Sequence, residues 1–295
     1  NKIKNNSKIL VSEDSHKSTK LPWVKLKKQL KKQEKIDLIE YKVLKTGDPD
    51  IKDILSKIDK NTFLISLTHI HNAYGAKAEV KKLTKNLQEE SVDPYISLDC
   101  CQSIGHVPID VDSLNVDFLS FSGHKMFAST GSGVLYVDKD LHKNLDKHYE
   151  GGGMKRNTMP HKLERGTPNI SSIISIGRAI DFIKNIGIEE IKKRNLELTK
   201  YLINGLNNLN AYFDKGVAYS SCKDVGYGIV SFNINKDGLS AKDLGFILDS
   251  NDIFVRDGGH CTVDSEEKET VRISLQFYNK KKEIDKLIKV VNNIS

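Results

Sequence analysis

The chain has 295 residues, with 46 Lys and Arg against 39 Asp and Glu, a formal net charge of +7, and 38% hydrophobic and 29% charged residues. This composition is too apolar for a disordered chain, and the length suits one large domain or two moderate ones around a buried site. No stretch nears the roughly 18 unbroken apolar residues of a membrane span.

Short apolar runs alternate with longer amphipathic segments. Ile9–Ser12 reads as a strand, Trp23–Gln33 as a lysine-rich helix, Ile39–Val43 as a strand and Asp50–Ile58 as a helix. Phe63–Leu67 is a buried strand with a polar tip, Thr68-His69-Ile70-His71-Asn72, followed by a helix over Ala78–Glu90. Tyr95–Leu98, Phe118–Phe121 and Val134–Val137 are further strands. Strands separated by crossover helices predict a mainly parallel sheet covered on both faces, an α/β fold. From about Ser171 the pattern changes. Helices over Ser171–Lys184 and Ile188–Leu209 break at Asn185-Ile186-Gly187. Short strands (Gly228–Asn233, Ile253–Val255, Thr270–Leu275), a helix at Ala241–Ser250 and a last helix from Lys280 to Val291 follow. This mixture predicts a smaller α+β domain over 185–295, packed on a larger one over 1–184.

The surplus lysines are spread over Lys25–Lys35, Lys81–Lys85 and Lys280–Lys289, which reads as solvated surface rather than a nucleic-acid face. Cys100, Cys101, Cys222 and Cys261 fit neither a disulfide framework nor a zinc module, pointing to a reducing compartment. Asn1–Lys20 is polar and holds no signal-peptide core.

In parallel sheets reactive groups sit just beyond the carboxyl ends of the strands. His69–Asn72, Asp99–Gln102 and Ser122–Lys125 fall there, from three separate strands. A lysine after an apolar strand, Lys125, sits where low dielectric makes its amine usable, for instance in a Schiff base with an aldehyde cofactor. A strand-end carboxylate, Asp99, is suited to a pyridinium nitrogen, with Gln102 in reach of a ring hydroxyl; taken alone, Asp99 reads equally as a helix N-cap.

The run Ser122-Gly123-His124-Lys125 resembles the lysine signature of class V aminotransferase-fold enzymes, especially cysteine desulfurases of the SufS branch. Further blocks agree in order: Thr68-His69-Ile70-His71-Asn72, Asp99-x-x-Gln102-Ser103, Pro108-Ile109-Asp110-Val111, Glu150-Gly151-Gly152-Gly153, Gly166-Thr167-Pro168-Asn169, Val255–Cys261 and Arg272-Ile273-Ser274-Leu275. The resemblance implies a fold-type-I pyridoxal 5′-phosphate enzyme of the aspartate aminotransferase-like kind. Lys125 would hold the cofactor, Asp99 its ring nitrogen and Gln102 its ring oxygen, with His16 stacked on the ring. Ser122 and His124 would bind its phosphate, and Thr167 that of a neighbouring subunit. Asn72 and Arg272 would hold the substrate carboxylate, and Cys261 would accept sulfur. Arg256, His260 or the cationic cofactor region would favour its thiolate.

The implied activity is conversion of L-cysteine to L-alanine with a persulfide on Cys261, feeding iron–sulfur cluster assembly. A homodimer and a small acceptor protein of the SufE or SufU kind are the implied partners, in the cytoplasm or in a plastid-type organelle. A selenocysteine lyase or related lyase, and a truncated chain acting only as a binding partner, are the alternatives. The sequence departs from the resemblance at Cys100-Cys101, Ala128-Ser129 and Asp257-Gly258-Gly259, and in shorter loops after Gly153 and Cys261. Family members carry roughly another domain's worth, about 100 residues, ahead of Ile9–Ser12, including a phosphate-binding turn. The Asn start therefore reads as a cut inside the cofactor domain.

Overall fold

The computed structural model describes residues 3, 6–30, 36–147, 158–164, 166–209, 211–213, 227–262 and 269–294. The Glu150–Gly153 block, Cys222, His148 and the end of the expected Trp23–Gln33 helix lie outside them.

Strand β1 (Ser7–Ser12) leads to helix α1 (Lys17–Gln29), then β2 (Ile36–Tyr41), α2 (Ile51–Lys57), β3 (Thr62–Thr68), α3 (Val80–Glu89) and β4 (Tyr95–Asp99). The short helix α4 (Val111–Leu114), β5 (Phe118–Ser122), a 3-10 turn at Gly123–Met126 and β6 (Gly133–Val137) complete the first sheet. Its order is β2-β1-β3-β4-β5-β6. All neighbours run parallel except β6, which returns antiparallel on β5. The parallel α/β expectation holds.

Local chemistry sets the element ends. Asp50 caps α2, its carboxylate accepting from the amides of Lys52 and Asp53 at 3.0 and 3.3 Å. In α3 the buried side chains are Val80, Leu83, Thr84 and Leu87, one face of a 3.6-residue repeat, which packs on the sheet. Ile65, Leu67, Ile96, Leu98 and Leu119 form the matching sheet face. On the other face α1 covers Ile9, Val11 and Leu64 through Trp23 and Leu26. Beyond Trp23 the described residues leave an apolar groove of about 320 Å³ on that face, lined by Tyr95, Phe118 and Leu135. Helix α1 begins at Lys17, six residues earlier than its apolar pattern indicates, because the His16 side chain caps it.

Helices α5 (Ile170–Ile186) and α6 (Ile188–Asn207) meet at Gly187. The antiparallel sheet β7-β8-β10-β9 uses β7 (Ala211–Tyr212), β8 (Ile229–Ile234), β9 (Arg256–Gly258) and β10 (Thr270–Ser274). It packs on α6, α7 (Ala241–Asp249) and α8 (Lys281–Ile294) through Leu198, Leu202, Phe232, Leu244, Leu287 and Val291. The strand expected at Ile253–Val255 is displaced to Arg256–Gly258: register on β10 pairs Gly258 with Thr270 and Arg256 with Arg272. Phe254, inside the expected strand, is 83% exposed. Among the described residues, no helix is long and apolar enough to cross a membrane.

The two sheets meet at the tip after β3. Gly75 has φ +67°, and a Cβ there would lie 2.3 Å from the carbonyl oxygen of Ile229 in β8. Gly75→Ala is therefore expected to lower the unfolding free energy by about 1–3 kcal/mol, the cost of a left-handed non-glycine residue at an over-packed position. Urea unfolding of the two proteins measures it.

Candidate active site

The carboxyl ends of β1, β3, β4 and β5 deliver His16, His69–Asn72, Asp99–Gln102 and Ser122–Lys125 to one end of the large sheet. His16 is half-buried as the N-cap of α1, its Nδ1 accepting from the Ser18 amide at 3.2 Å. Burial first, and the Lys125 ammonium next, hold its pKa below the usual imidazole value, with Asp99 opposing. Lys125 and Asp99 are thus both within electrostatic reach of His16.

Asp99 closes β4 with both oxygens engaged. One accepts from Thr19 Oγ1 at 2.8 Å, the other from the Cys101 amide at 2.9 Å. No helix starts at Asp99, so it is not a helix N-cap; its bond to the Cys101 amide instead opens the turn that carries Gln102. Lys125 is half-buried in the 3-10 turn after β5, Ser122 and Gln102 are half-buried, and His124 is exposed. Thr167 stands exposed on the loop ahead of α5.

The second group comes from the small sheet. Cys261 is exposed, and its Sγ accepts from Arg256 Nη2 at 3.1 Å. Arg272 lies directly across the strand pair from Arg256. Burial first, and the like charge of Arg256 next, lower the Arg272 pKa to about 10, still cationic at neutral pH. Its Nη1 donates to the backbone oxygen of Asn72 at 3.0 Å. The Asn72 Nδ2 in turn donates to the His260 carbonyl at 2.7 Å. Asn72, Arg272, His260 and Cys261 therefore form one connected cluster.

One expectation is corrected. His260 does not supply positive charge to Cys261: burial first, then Arg272 and Arg256, push its pKa down to about 4, and its ring is neutral at pH 7. The cation at the thiol is Arg256.

Other participants are not apparent from sequence. His71 accepts from the amides of Ala73 and Tyr74 through Nδ1, at 3.2 and 3.3 Å, so Nε2 carries the proton. It faces the Asp14 carbonyl at 3.2 Å and its carboxylate at 3.5 Å, clamping the tip after β3 to the loop after β1. Thr19 had one sequence signal, its place three residues after His16 on the opening turn of α1. His106 bridges the two parts, its ring nitrogens 2.8 Å from the Gln276 amide and 3.4 Å from that of Asn195.

A mainly parallel sheet with lysine and carboxylate at its carboxyl ends, and a smaller antiparallel domain delivering arginines and a cysteine, defines a fold-type-I pyridoxal phosphate enzyme. The chain matches the aminotransferase class-V family over residues 1–287. It is 32% identical over 301 residues to a cysteine desulfurase of Wigglesworthia glossinidia brevipalpis, covering 97% of this chain and 70% of that protein. A probable cysteine desulfurase of Pyrococcus abyssi is 34% identical, over 99% of this chain and 73% of its own. The apo structure of cysteine desulfurase from Thermococcus onnurineus NA1 superposes with TM-score 0.89 at 31% identity, covering 99% of this chain and 73% of that one. The chain belongs to the aminotransferase class-V family, among its cysteine desulfurases.

This family depends on pyridoxal 5′-phosphate, and the residues present fit its ring end. An imidazole, an amine and a carboxylate converge. On the tip after β3 and on β10, Thr68 Oγ1, His69 Nε2, Asn72 Oδ1 and Arg272 Nε are buried without a hydrogen-bond partner among the described residues. Buried polar atoms so placed await a polar ligand.

His69, His106 and His260 each have a pKa near 4, burial being the largest cause. Depressed in the folded state, these imidazoles stay neutral where the unfolded chain takes up protons. Stability is therefore full above about pH 6.5 and declines as pH falls toward 4, by up to about 1.4 kcal/mol per pH unit for each group. Urea midpoints measured between pH 7.5 and 4.5 should fall accordingly, and His106→Asn should flatten the slope.

Proposed function

We propose that this chain converts L-cysteine to L-alanine and keeps the sulfur as a persulfide on Cys261. The observation that carries the reading is the Arg256 guanidinium 3.1 Å from the Cys261 sulfur, in the cluster that also holds Arg272. A thiolate is the nucleophile in sulfur chemistry, and the Arg256 guanidinium stands where it would face one.

Asp99 would hold the cofactor's ring nitrogen, Gln102 its ring oxygen, His16 its face, and Ser122 and His124 its phosphate, with Lys125 as its anchor. When bound, pyridoxal phosphate supplies an electron sink that lets bonds at the substrate Cα break. Arg272 binds the substrate carboxylate; Nη1 is taken by Asn72, leaving the buried Nε edge for it. The Lys125 amine takes the proton from the substrate Cα. Cys261 attacks the substrate sulfur: the S–S bond forms as the C–S bond breaks, and the carbon skeleton leaves, after protonation, as alanine. Thr19 holds the Asp99 carboxylate in place throughout.

Finer features belong to the same reading. Sulfur passes to iron–sulfur cluster assembly through a small acceptor of the SufE or SufU kind, as in the SufS branch. The chain divides functionally at 184/185, in the last turn of α5; each sheet has its own main core, and smaller clusters such as Ile70, Val107, Tyr227 and Ile229 join the two. It works as a homodimer, supported by α5: Ile170, Ile173 and Ile174 are 58%, 52% and 60% exposed next to Thr167, the residue expected to reach a neighbour's phosphate.

Cys261→Ala is expected to abolish alanine release from cysteine, by at least about 1,000-fold, while added pyridoxal phosphate still gives its visible absorbance; Lys125→Ala is expected to lose that absorbance. Sulfide release from cysteine at the wild-type rate in Cys261→Ala would overturn the assignment. Comparing cysteine with selenocysteine separates a desulfurase from a lyase that needs no sulfur acceptor. For the dimer, Ile174→Glu should shift sedimentation from two chains to one.

A further inference from the structure

Asn72 is 5% exposed, and among the described residues its side chain is used at one end only: Nδ2 donates to the His260 carbonyl at 2.7 Å, while Oδ1 has no partner there. The carbonyl it holds belongs to the residue before Cys261. That stretch of backbone resists its own conformation, because His260 and Cys261 are consecutive left-handed non-glycine residues, with φ of 52° and 59°. Such a segment keeps its shape only while its surroundings hold it. Other fastenings include the Lys17 amide on the Cys261 carbonyl at 2.8 Å, the Thr262 amide and hydroxyl on the Gly259 carbonyl at 3.1 and 3.0 Å, the His260 ring 2.7 Å from Thr270 Oγ1, the Arg256 guanidinium on the Cys261 sulfur, and a bridge between His16 and Thr262. The grip from Asn72 is a side-chain bond from the large sheet's end, and it comes from the residue whose backbone oxygen takes Arg272 Nη1.

A primary amide has one donor end and one acceptor end. A carboxylate accepting from the free edge of Arg272 brings a negative oxygen beside Asn72, where Oδ1 repels it and Nδ2 attracts it. Turning the amide to meet the carboxylate points Oδ1 at the His260 carbonyl, two acceptors face to face, and the grip on the loop is lost. Resting on the assignment of Asn72 and Arg272 to the substrate carboxylate, we propose that Asn72 is also a positioning residue for Cys261. Its amide holds the cysteine loop through His260 until a substrate carboxylate claims it. Recognition of the amino acid at one end thereby frees the sulfur acceptor at the other.

The test is hydrogen–deuterium exchange over residues 257–262 of the cofactor-loaded protein, read by mass spectrometry. Asn72→Asp, which keeps the shape but removes the donor, is expected to speed exchange of this segment about tenfold, the scale of one buried hydrogen bond. Saturating L-alanine, a carboxylate without sulfur, is expected to speed it in the wild type and to add nothing in Asn72→Asp. Loop exchange at the wild-type rate in Asn72→Asp, or no acceleration of the wild type by L-alanine, overturns the proposal. Should Asn72→Asp not fold, the wild-type comparison with and without L-alanine decides alone. Alanine release from cysteine is scored separately. Turnover without the exchange response sinks the loop coupling and spares the desulfurase reading; the response without turnover does the reverse.

Discussion

Arg272 is a cation that has lost most of its water and faces a second guanidinium across the strand pair, so it must find compensation in the protein. Part comes from the backbone oxygen of Asn72, on the tip after β3 at the end of the other sheet. That bond ties the two sheets together at one point, and much follows from it. The loop after β3 has to approach β8 and β10 closely, which is why Gly75 meets Ile229 with no room for a Cβ. The cysteine loop, hung from the same residue, is brought over the ends of the parallel strands. A cation so costly to bury marks a place where a negative ligand restores the balance.

The parallel sheet was legible in the sequence because each strand is a short apolar run and each crossover an amphipathic repeat. Asp99, Lys125 and the His69–Asn72 tip were legible for a related reason: a parallel sheet gathers all its strand ends on one side. Charge states were not. Whether His260 is a cation depends on burial and on two arginines, one of them 12 residues away in sequence, and only packing decides that. Nor was the edge of the small sheet. Ile253–Val255 has the composition of a strand, but pairing follows the register on β10, which selects Arg256–Gly258 and sets Arg256 opposite Arg272. The clamp from His71 to Asp14 spans 57 residues and has no local pattern to betray it.

The site combines firm and loose parts. His16, Thr19 and Asp99 are fixed by helix capping and strand ends, whereas Lys125 lies in a 3-10 turn and Cys261 on a loop of unfavourable backbone angles. The firm groups are those assigned to hold a ring still. The looser ones are those whose proposed chemistry requires them to change partners.

Cys100 and Cys101 directly follow Asp99, so the chain carries thiols close to its own reaction centre. Burial pushes the Cys100 thiol up to about 12 and raises that of Cys101 as well, with the Asp99 carboxylate adding to both. Neither is an anion at neutral pH. The burial and the carboxylate at the proposed ring-nitrogen site therefore also keep these nearest thiols protonated. Of the three described cysteines, Cys261 has a guanidinium at its sulfur, so the proposed acceptor differs from the nearer thiols in its partner rather than in its distance.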